Sequence, residues 1–195
     1  MNTARFRALI FDLDGTLTLP SLDFRLIRQE IGISRGDLVT EIGKLPPAER
    51  EQAWAVVRRH EEEAMRNQTL QDGTSALLER CRRERIRVGV VTRNERQSID
   101  HLCLKYGLTF DAAVSREFPH VKPHPGPVLH MLELWQIAPG EALVIGDYLY
   151  DIDCGRAAGT KTCFFQNQGS PFYGQNADYV VGSMKELAEV VWPSP

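Results

Sequence analysis

Ala8-Leu9-Ile10-Phe11-Asp12-Leu13-Asp14-Gly15-Thr16-Leu17-Thr18 is the stretch whose reading decides the fold. The run from Ala8 to Phe11 is apolar at every position, with no polar alternation. It reads as a strand buried on both faces, as in a parallel sheet. The run ends in two carboxylates at i and i+2, then a glycine and a hydroxyl. Open α/β sheets bind ligands just beyond the carboxyl ends of their strands, so Asp12 and Asp14 fall where chemistry is expected. Two anions this close repel unless a cation or a proton intervenes. Mg²⁺ is the natural neutraliser, because it is hard, takes oxygen ligands and travels with phosphate. Gly15 permits a sharp turn and a close approach of backbone to ligand. Taken alone, Asp-x-Asp-Gly is more often a strand followed by an acidic, helix-capping turn. The rest of the chain has to decide.

The chain has 195 residues, enough for one domain with a sizeable core and a small insertion. A hydrophobic share of 43% and a charged share of 25% belong to an ordinary soluble globular protein. A net charge of -3 gives no support for a nucleic-acid partner, which needs a basic face. Arg80, Arg82, Arg83, Arg85 and Arg87 cluster, and read as a solvated face. Cys81, Cys103, Cys154 and Cys163 show neither zinc spacing nor a disulfide framework; three of them sit inside apolar patterns as small core residues. No apolar run approaches membrane-spanning length, and Arg5 and Arg7 lead straight into a strand, unlike a signal peptide. The expectation is a cytoplasmic protein with no membrane partner, as a monomer or homodimer.

Residues 22–68 contain no strand-like run. Leu22, Phe24, Leu26, Ile27 and Ile31 recur at helical spacing, with Gly32 as a stop. Ser34 is a candidate cap for a second helix carrying Leu38, Val39 and Ile42. Pro46-Pro47 opens a long helix to about Asn67, on which Glu61-Glu62-Glu63 reads as a solvated face. From Asp72 onward helices and strands alternate. Asp72 or Thr74 caps a helix with Leu77, Leu78 and Cys81. Strands are expected over 86–92, 110–114, 142–147, 161–165 and 178–181. Helices are expected over 95–106, 125–134, 150–158 and 184–191. The stretch 167–176, rich in Gly, Gln and Asn, reads as a surface loop. The alternation predicts an α/β fold: a doubly wound, mainly parallel sheet with a small all-helical cap inserted after the first strand. The core is then residues 1–18 and 72–195, and the cap 19–71.

Polar groups stand at or near strand ends in four places: Asp12 with Asp14, Thr92, Lys122, and Asp147 with Asp151. Each has a bland explanation. Thr92 can cap the next helix, Lys122 can be solvated, Asp147 can be a turn residue, and Asp151 can be a helix N-terminal acid favoured by the dipole. Together they are the parts for phosphoryl transfer: a carboxylate nucleophile, a neighbouring acid, a metal cage, a hydroxyl donor and a fixed cation.

In this arrangement the sequence resembles the haloacid dehalogenase superfamily of phosphohydrolases, and the resemblance covers nearly the whole chain outside the helical insertion. The first motif matches Asp12-Leu13-Asp14-Gly15-Thr16 and the second Val90-Val91-Thr92. The third matches Lys122 in Val121-Lys122-Pro123. The fourth, Gly-Asp-x-x-x-Asp, matches Gly146-Asp147 and Asp151. The resemblance implies that Asp12 attacks phosphorus to give an aspartyl phosphate, and that Asp14 protonates the leaving oxygen and later deprotonates water. It implies Mg²⁺ held by Asp12, the backbone carbonyl of Asp14 and Asp147, with Asp151 orienting the metal's waters or holding Lys122. It places Thr92, Lys122 and backbone N–H groups at Gly15 and beyond on the phosphoryl oxygens, with Arg93 and Asn94 at the site's edge.

The insertion resembles the cap of phosphoglycolate-phosphatase-like members, and is short for that branch. Asp14 argues against a dehalogenase, because a halide leaving group needs no proton. Lys44, the one lysine of the cap, shows no sign of the burial a Schiff base requires. No histidine follows the first motif closely, which disfavours a sugar phosphomutase. His120 and His124 read as loop residues, because Pro123 and Pro125 prevent a helix that would align them on a metal. The expectation is a Mg²⁺-dependent phosphatase acting on a small phosphorylated metabolite. A non-catalytic module that keeps the metal and phosphate site, and a phosphatase of phosphoproteins, are the alternatives on the same fold.

Overall fold

The computed structural model describes residues 3–194. Among them, six strands form one sheet in the order β3-β2-β1-β4-β5-β6, with every pairing parallel. The strands are β1 (Ala8–Phe11), β2 (Arg87–Val91), β3 (Ala112–Val114), β4 (Ala142–Gly146), β5 (Lys161–Phe165) and β6 (Tyr179–Val181). The helices are α1 (Phe24–Ile31), α2 (Leu38–Lys44), α3 (Pro47–Asn67), α4 (Thr74–Arg83), α5 (Arg96–Tyr106), α6 (Gly126–Trp135), α7 (Leu149–Ala157) and α8 (Met184–Val191).

The continuous apolar runs have the reason expected of them: successive side chains bury on opposite faces of the sheet. Leu9, Phe11, Val88, Val90, Leu143 and Ile145 share one core with Leu77 and Cys81 of α4, Ile99 and Leu102 of α5, and Leu187 and Val191 of α8. Ala8, Ile10, Val91, Ala142 and Val144 share the other with Val128, Met131 and Leu132 of α6 and Cys154 of α7. Gly89 belongs to this second face. A Cβ there would come within 2.6 Å of Met131 Sδ and 2.7 Å of the Trp135 ring, so α6 rests directly on the β2 backbone. Cys81, Cys154 and Cys163 are buried free thiols and Cys103 is half-buried. Trp192 is buried under the Arg80 guanidinium, whose carbon lies 3.9 Å from the indole centre.

The chain divides into two compact units, residues 1–20 with 69–195, and Ser21–Gln68. The second unit has its own core of Ile27, Leu38, Ile42, Ala53 and Val57. Asp23 caps α1 by accepting from the Arg25 and Leu26 N–H groups at 3.0 Å. Asp37, not Ser34, caps α2, accepting from Thr40 N–H at 2.9 Å. The Glu61-Glu62-Glu63 run is only partly a solvated face. Glu62 and Glu63 are exposed, but Glu61 is buried, because the spacing Ala53, Val57, Glu61, Met65 puts it on the inward stripe of α3. In the first unit, Gly73 stands at the N-cap of α4 with no side-chain cap, in place of the expected Asp72 or Thr74. The Thr74 hydroxyl donates to Leu17 O at 3.2 Å instead.

Within the first unit, the segments that lead to and from residues 21–68 run side by side. Leu19 N–H donates to Thr69 O at 2.8 Å, Gln71 N–H donates to Leu17 O at 2.9 Å, and Thr18 bridges Leu70 in antiparallel fashion.

Candidate active site

The strand order fixes where chemistry belongs. After β1 the chain builds outward through β2 and β3, then crosses to β4 on the other side of β1. The strand order therefore reverses at β1 and β4, and ligands of doubly wound sheets sit beyond the carboxyl ends at that point. Asp12 follows β1 directly, and Asp147 follows β4 directly. Asp12 N–H donates to Ile145 O at 2.8 Å, which continues the β1–β4 pairing into the site. A tight turn follows, in which the N–H groups of Leu17 and Thr18 and the Thr18 hydroxyl all donate to Leu13 O at 3.1 Å.

Three carboxylates converge here. Asp12, Asp147 and Asp151 each bring an oxygen within 4.8 Å of the others. Lys122, from the loop before α6, is buried among them and donates from Nζ to Asp12 Oδ1 and Asp151 Oδ1, both at 2.5 Å. The other oxygen of Asp151, Oδ2, accepts the Tyr148 N–H at 3.0 Å and closes the first turn of α7. Two glycines make room. A Cβ on Gly15, at φ +83°, would stand 2.1 Å from Asp147 Oδ2, and a Cβ on Gly146 would stand 2.1 Å from Asp151 Cγ.

Charge is out of balance in this pocket. Burial pushes the Asp12 carboxyl up to about 7, against the pull of Lys122. Burial, joined by the charges of Asp12, Asp151 and Asp14, pushes Asp147 up to about 8. Burial alone would lower the Lys122 ammonium, but the facing Asp12 and Asp151 outweigh it and raise it. One lysine does not neutralise three clustered acids, of which Asp151 is buried and Asp12 and Asp147 are partly buried. The site fits a second, hard cation that takes oxygen ligands.

Thr92 directly follows β2, the neighbour of β1, and is buried; its N–H donates to Val114 O at 3.0 Å and its hydroxyl accepts from Asn94 N–H at 3.1 Å. The Arg93 guanidinium carbon lies 4.7 Å from the centre of the Tyr150 ring. The structure thus joins Asp12 and Asp151 through Lys122, brings an Asp147 oxygen within 4.8 Å of theirs, sets Gly15 against Asp147, and puts Thr92 just beyond the neighbouring strand. The Asp14 carboxylate stands outside the three-acid group, where it acts on Asp147 through its charge.

Asn167 is the residue that sequence reasoning missed. Its place in a presumed surface loop suggests exposure, yet it is buried. Its amide donates to Gly15 O at 2.7 Å and to Asp147 Oδ2 at 3.2 Å, and its Oδ1 accepts from Gln71 Nε2 at 2.8 Å. Its position, two residues beyond the end of β5 and beside β4, was the available signal. His120 and His124 stack on each other with ring centres 4.0 Å apart, and neither belongs to the acid group.

A parallel doubly wound sheet thus carries three clustered carboxylates and a buried lysine at its reversal point, the place where such folds bind ligands. The haloacid dehalogenase-like hydrolase family profile matches residues 19–165, and the chain belongs to that family. A haloacid dehalogenase-like hydrolase domain-containing protein of Arabidopsis thaliana is 30% identical to it, over 96% of this chain and 84% of that protein. The N-acetylmuramic acid 6-phosphate phosphatase of Pseudomonas putida is 28% identical over 96% of both. A solved structure from Haemophilus somnus, described as a predicted phosphoglycolate phosphatase, has the same fold with a TM-score of 0.75 at 18% identity, over 95% of this chain and 98% of that one. Among the described residues no helix is long and apolar enough to cross a membrane.

Proposed function

We propose that this chain is a Mg²⁺-dependent phosphatase that hydrolyses small phosphate monoesters through an aspartyl phosphate on Asp12. The observation that carries the reading is Lys122 Nζ at 2.5 Å from both Asp12 and Asp151, in a group of three acids. A buried lysine there favours the charged form of the nucleophile against the effect of burial, fixes its orientation, and offers its charge to a phosphoryl group. Relatives named as phosphatases support the same chemistry.

The steps balance on this chain's own residues. An oxygen of Asp12 bonds to phosphorus as the ester P–O bond breaks, and Asp14 passes a proton to the leaving oxygen. Asp14 then takes a proton from water as the water oxygen bonds to phosphorus, and the Asp12 carboxylate leaves free. Lys122, Thr92 and the N–H groups from Gly15 onward hold the phosphoryl oxygens. Arg93 and Asn94 stand at the edge toward the substrate. Asp12, Asp147 and the Asp14 carbonyl, with Asp151 beside them, are the groups that would hold Mg²⁺. A bound Mg²⁺ supplies the positive charge that lets an anionic carboxylate meet a phosphate dianion.

The test is phosphate release from a panel of small esters, with and without Mg²⁺, by the protein and by Asp12→Asn. Metal-dependent release that disappears in the variant is expected. Release from no ester by folded protein would sink the reading in favour of a binding module; release from phosphopeptides alone would move the substrate to proteins.

A further inference from the structure

Both halves of the Asn167 amide are engaged. The nitrogen carries two hydrogens, and it donates to Gly15 O at 2.7 Å and to Asp147 Oδ2 at 3.2 Å. The oxygen accepts from Gln71 Nε2 at 2.8 Å. An amide turned over would point its oxygen at two acceptors, Gly15 O and Asp147 Oδ2, and its nitrogen at the Gln71 donor. All three contacts would then repel. The amide therefore has one working orientation, and Gln71 selects it from the oxygen side.

Gln71 acts from a fixed base. Its N–H donates to Leu17 O at 2.9 Å, and its O accepts from Thr74 N–H at 3.1 Å at the start of α4. Asn167 is anchored as well: its O accepts from Gln166 Nε2 at 2.8 Å and from Ser170 N–H at 3.2 Å. Asn167 is buried and Gln71 is half-buried, so water competes poorly for the bond between them. Gln71 is not one of the three clustered acids. Two side-chain hydrogen bonds in series nevertheless connect it to Asp147, across 96 positions of chain at the first and 20 at the second. Groups that hold a metal-binding carboxylate in place tune the affinity of the site without touching the metal.

We propose that Gln71 is a positioning residue for Mg²⁺ binding: it fixes the Asn167 amide, and the amide fixes the Asp147 carboxylate. The proposal rests on Asp147 being a Mg²⁺ ligand, as the phosphatase reading has it, and adds a residue that no strand-end pattern singles out. Its effect falls on metal affinity and not on the proton or phosphoryl steps.

The experiment titrates Mg²⁺ into the full chain without substrate and reads binding by calorimetry. The parent, Gln71→Ala, Asn167→Ala and the double variant form a cycle. Gln71→Ala is expected to weaken binding by about five-fold, the effect of one hydrogen bond. Asn167→Ala is expected to weaken it by about ten-fold. The double variant should match Asn167→Ala and not reach the roughly fifty-fold of independent effects, because Gln71 then has no amide to orient. Gln71→Met keeps the length of the side chain and loses the donor, so it should behave as Gln71→Ala. Phosphate release at saturating Mg²⁺ should return to the parent's rate in both Gln71 variants. Unchanged affinity in Gln71→Ala, losses that add in the double variant, or parent-like binding by Gln71→Met overturns the role of Gln71 and leaves the phosphatase reading standing. Coupled losses of affinity, with no ester hydrolysed by the parent, remove the phosphatase reading and keep the role. A parent that binds no Mg²⁺ overturns the role, whatever it hydrolyses.

Discussion

Gly15 and Asp147 stand so close that a single added methyl group cannot fit between them: a Cβ on Gly15 would lie 2.1 Å from Asp147 Oδ2. Gly15 also holds φ +83°, the left-handed region that L side chains avoid. Gly15→Ala is therefore expected to cost ~1–2 kcal/mol in backbone strain and to push Asp147 out of place. Turnover should fall by about a hundred-fold, since misplacement near an ångström has that effect. Gly43 is the control. It is exposed in α2 with nothing within 4 Å of a would-be Cβ, so Gly43→Ala should stabilise by ~0.5–1 kcal/mol. Turnover and chemical denaturation of both variants check the contrast; equal behaviour would refute it.

Lys122 faces two acids at once, partly buried Asp12 and buried Asp151, so its removal is costly on two counts. Lys122→Ala leaves Asp12 and Asp151 without their cation, and should destabilise the metal-free protein by ~3–5 kcal/mol. Turnover should drop by at least about a hundred-fold through loss of the charge facing the phosphoryl group. Urea unfolding in the presence of a chelator reads the first effect without a metal to mask it. Stability within error of the parent would show that the acids were not charged in the folded state.

Asn167 donates to both Asp147 and Gly15. Residues that orient a metal's carboxylate typically tune affinity by about ten- to a hundred-fold. Asn167→Ala should thus shift the Mg²⁺ activation curve to about ten-fold higher concentration, with most of kcat regained at saturating metal. A loss of kcat that no metal concentration restores would mean that Asn167 does something else.

Acid sensitivity can be assigned at the start of β5, away from the site. Burial alone would raise the Asp178 carboxyl. Lys161 Nζ at 2.7 Å, Thr162 N–H at 2.9 Å and the Thr162 hydroxyl at 3.0 Å outweigh it and hold Asp178 below its ordinary 3.8. The folded state therefore binds this proton less tightly than the unfolded chain. Its contribution to stability is present above about pH 4 and is lost as pH falls through the folded value. Asp178→Asn should lower stability at neutral pH by about 1 kcal/mol and flatten the melting temperature between about pH 5 and pH 3. Calorimetry across that range decides; parallel curves for the two proteins would rule the assignment out.

What could be read in advance followed from physics that acts locally. Strand positions were legible because both faces of a parallel sheet are covered, so Ala8 to Phe11 and Ala142 to Ile145 admit no polar residue. Helix stops at Gly32 and Gly107 were legible because each needs a left-handed backbone. Asp12 and Asp147 could be noticed because each directly follows an apolar strand, while Lys122, in a loop, was singled out only by the family motif it matches. The burial of Glu61 and of Asn167 was not legible from polarity alone. A helix turns a charged residue inward when its period requires it, and a loop residue can be drawn into a site by groups far away in sequence. Asn167 meets Gly15 across 152 positions, and no short-range pattern encodes that meeting.

The paired segments at Leu19 and Thr69 have a consequence for how such a protein can change. Because Leu17, Thr18 and Leu19 are stitched to Thr69, Leu70 and Gln71 inside the sheet-bearing unit, that unit closes without help from residues 21–68. The helices, with a core of their own, form a separate cassette. A lineage can lengthen, shorten or replace the cassette while the acids and the lysine keep their places. The sheet-bearing unit and the helical unit are then free to vary at different rates within one chain.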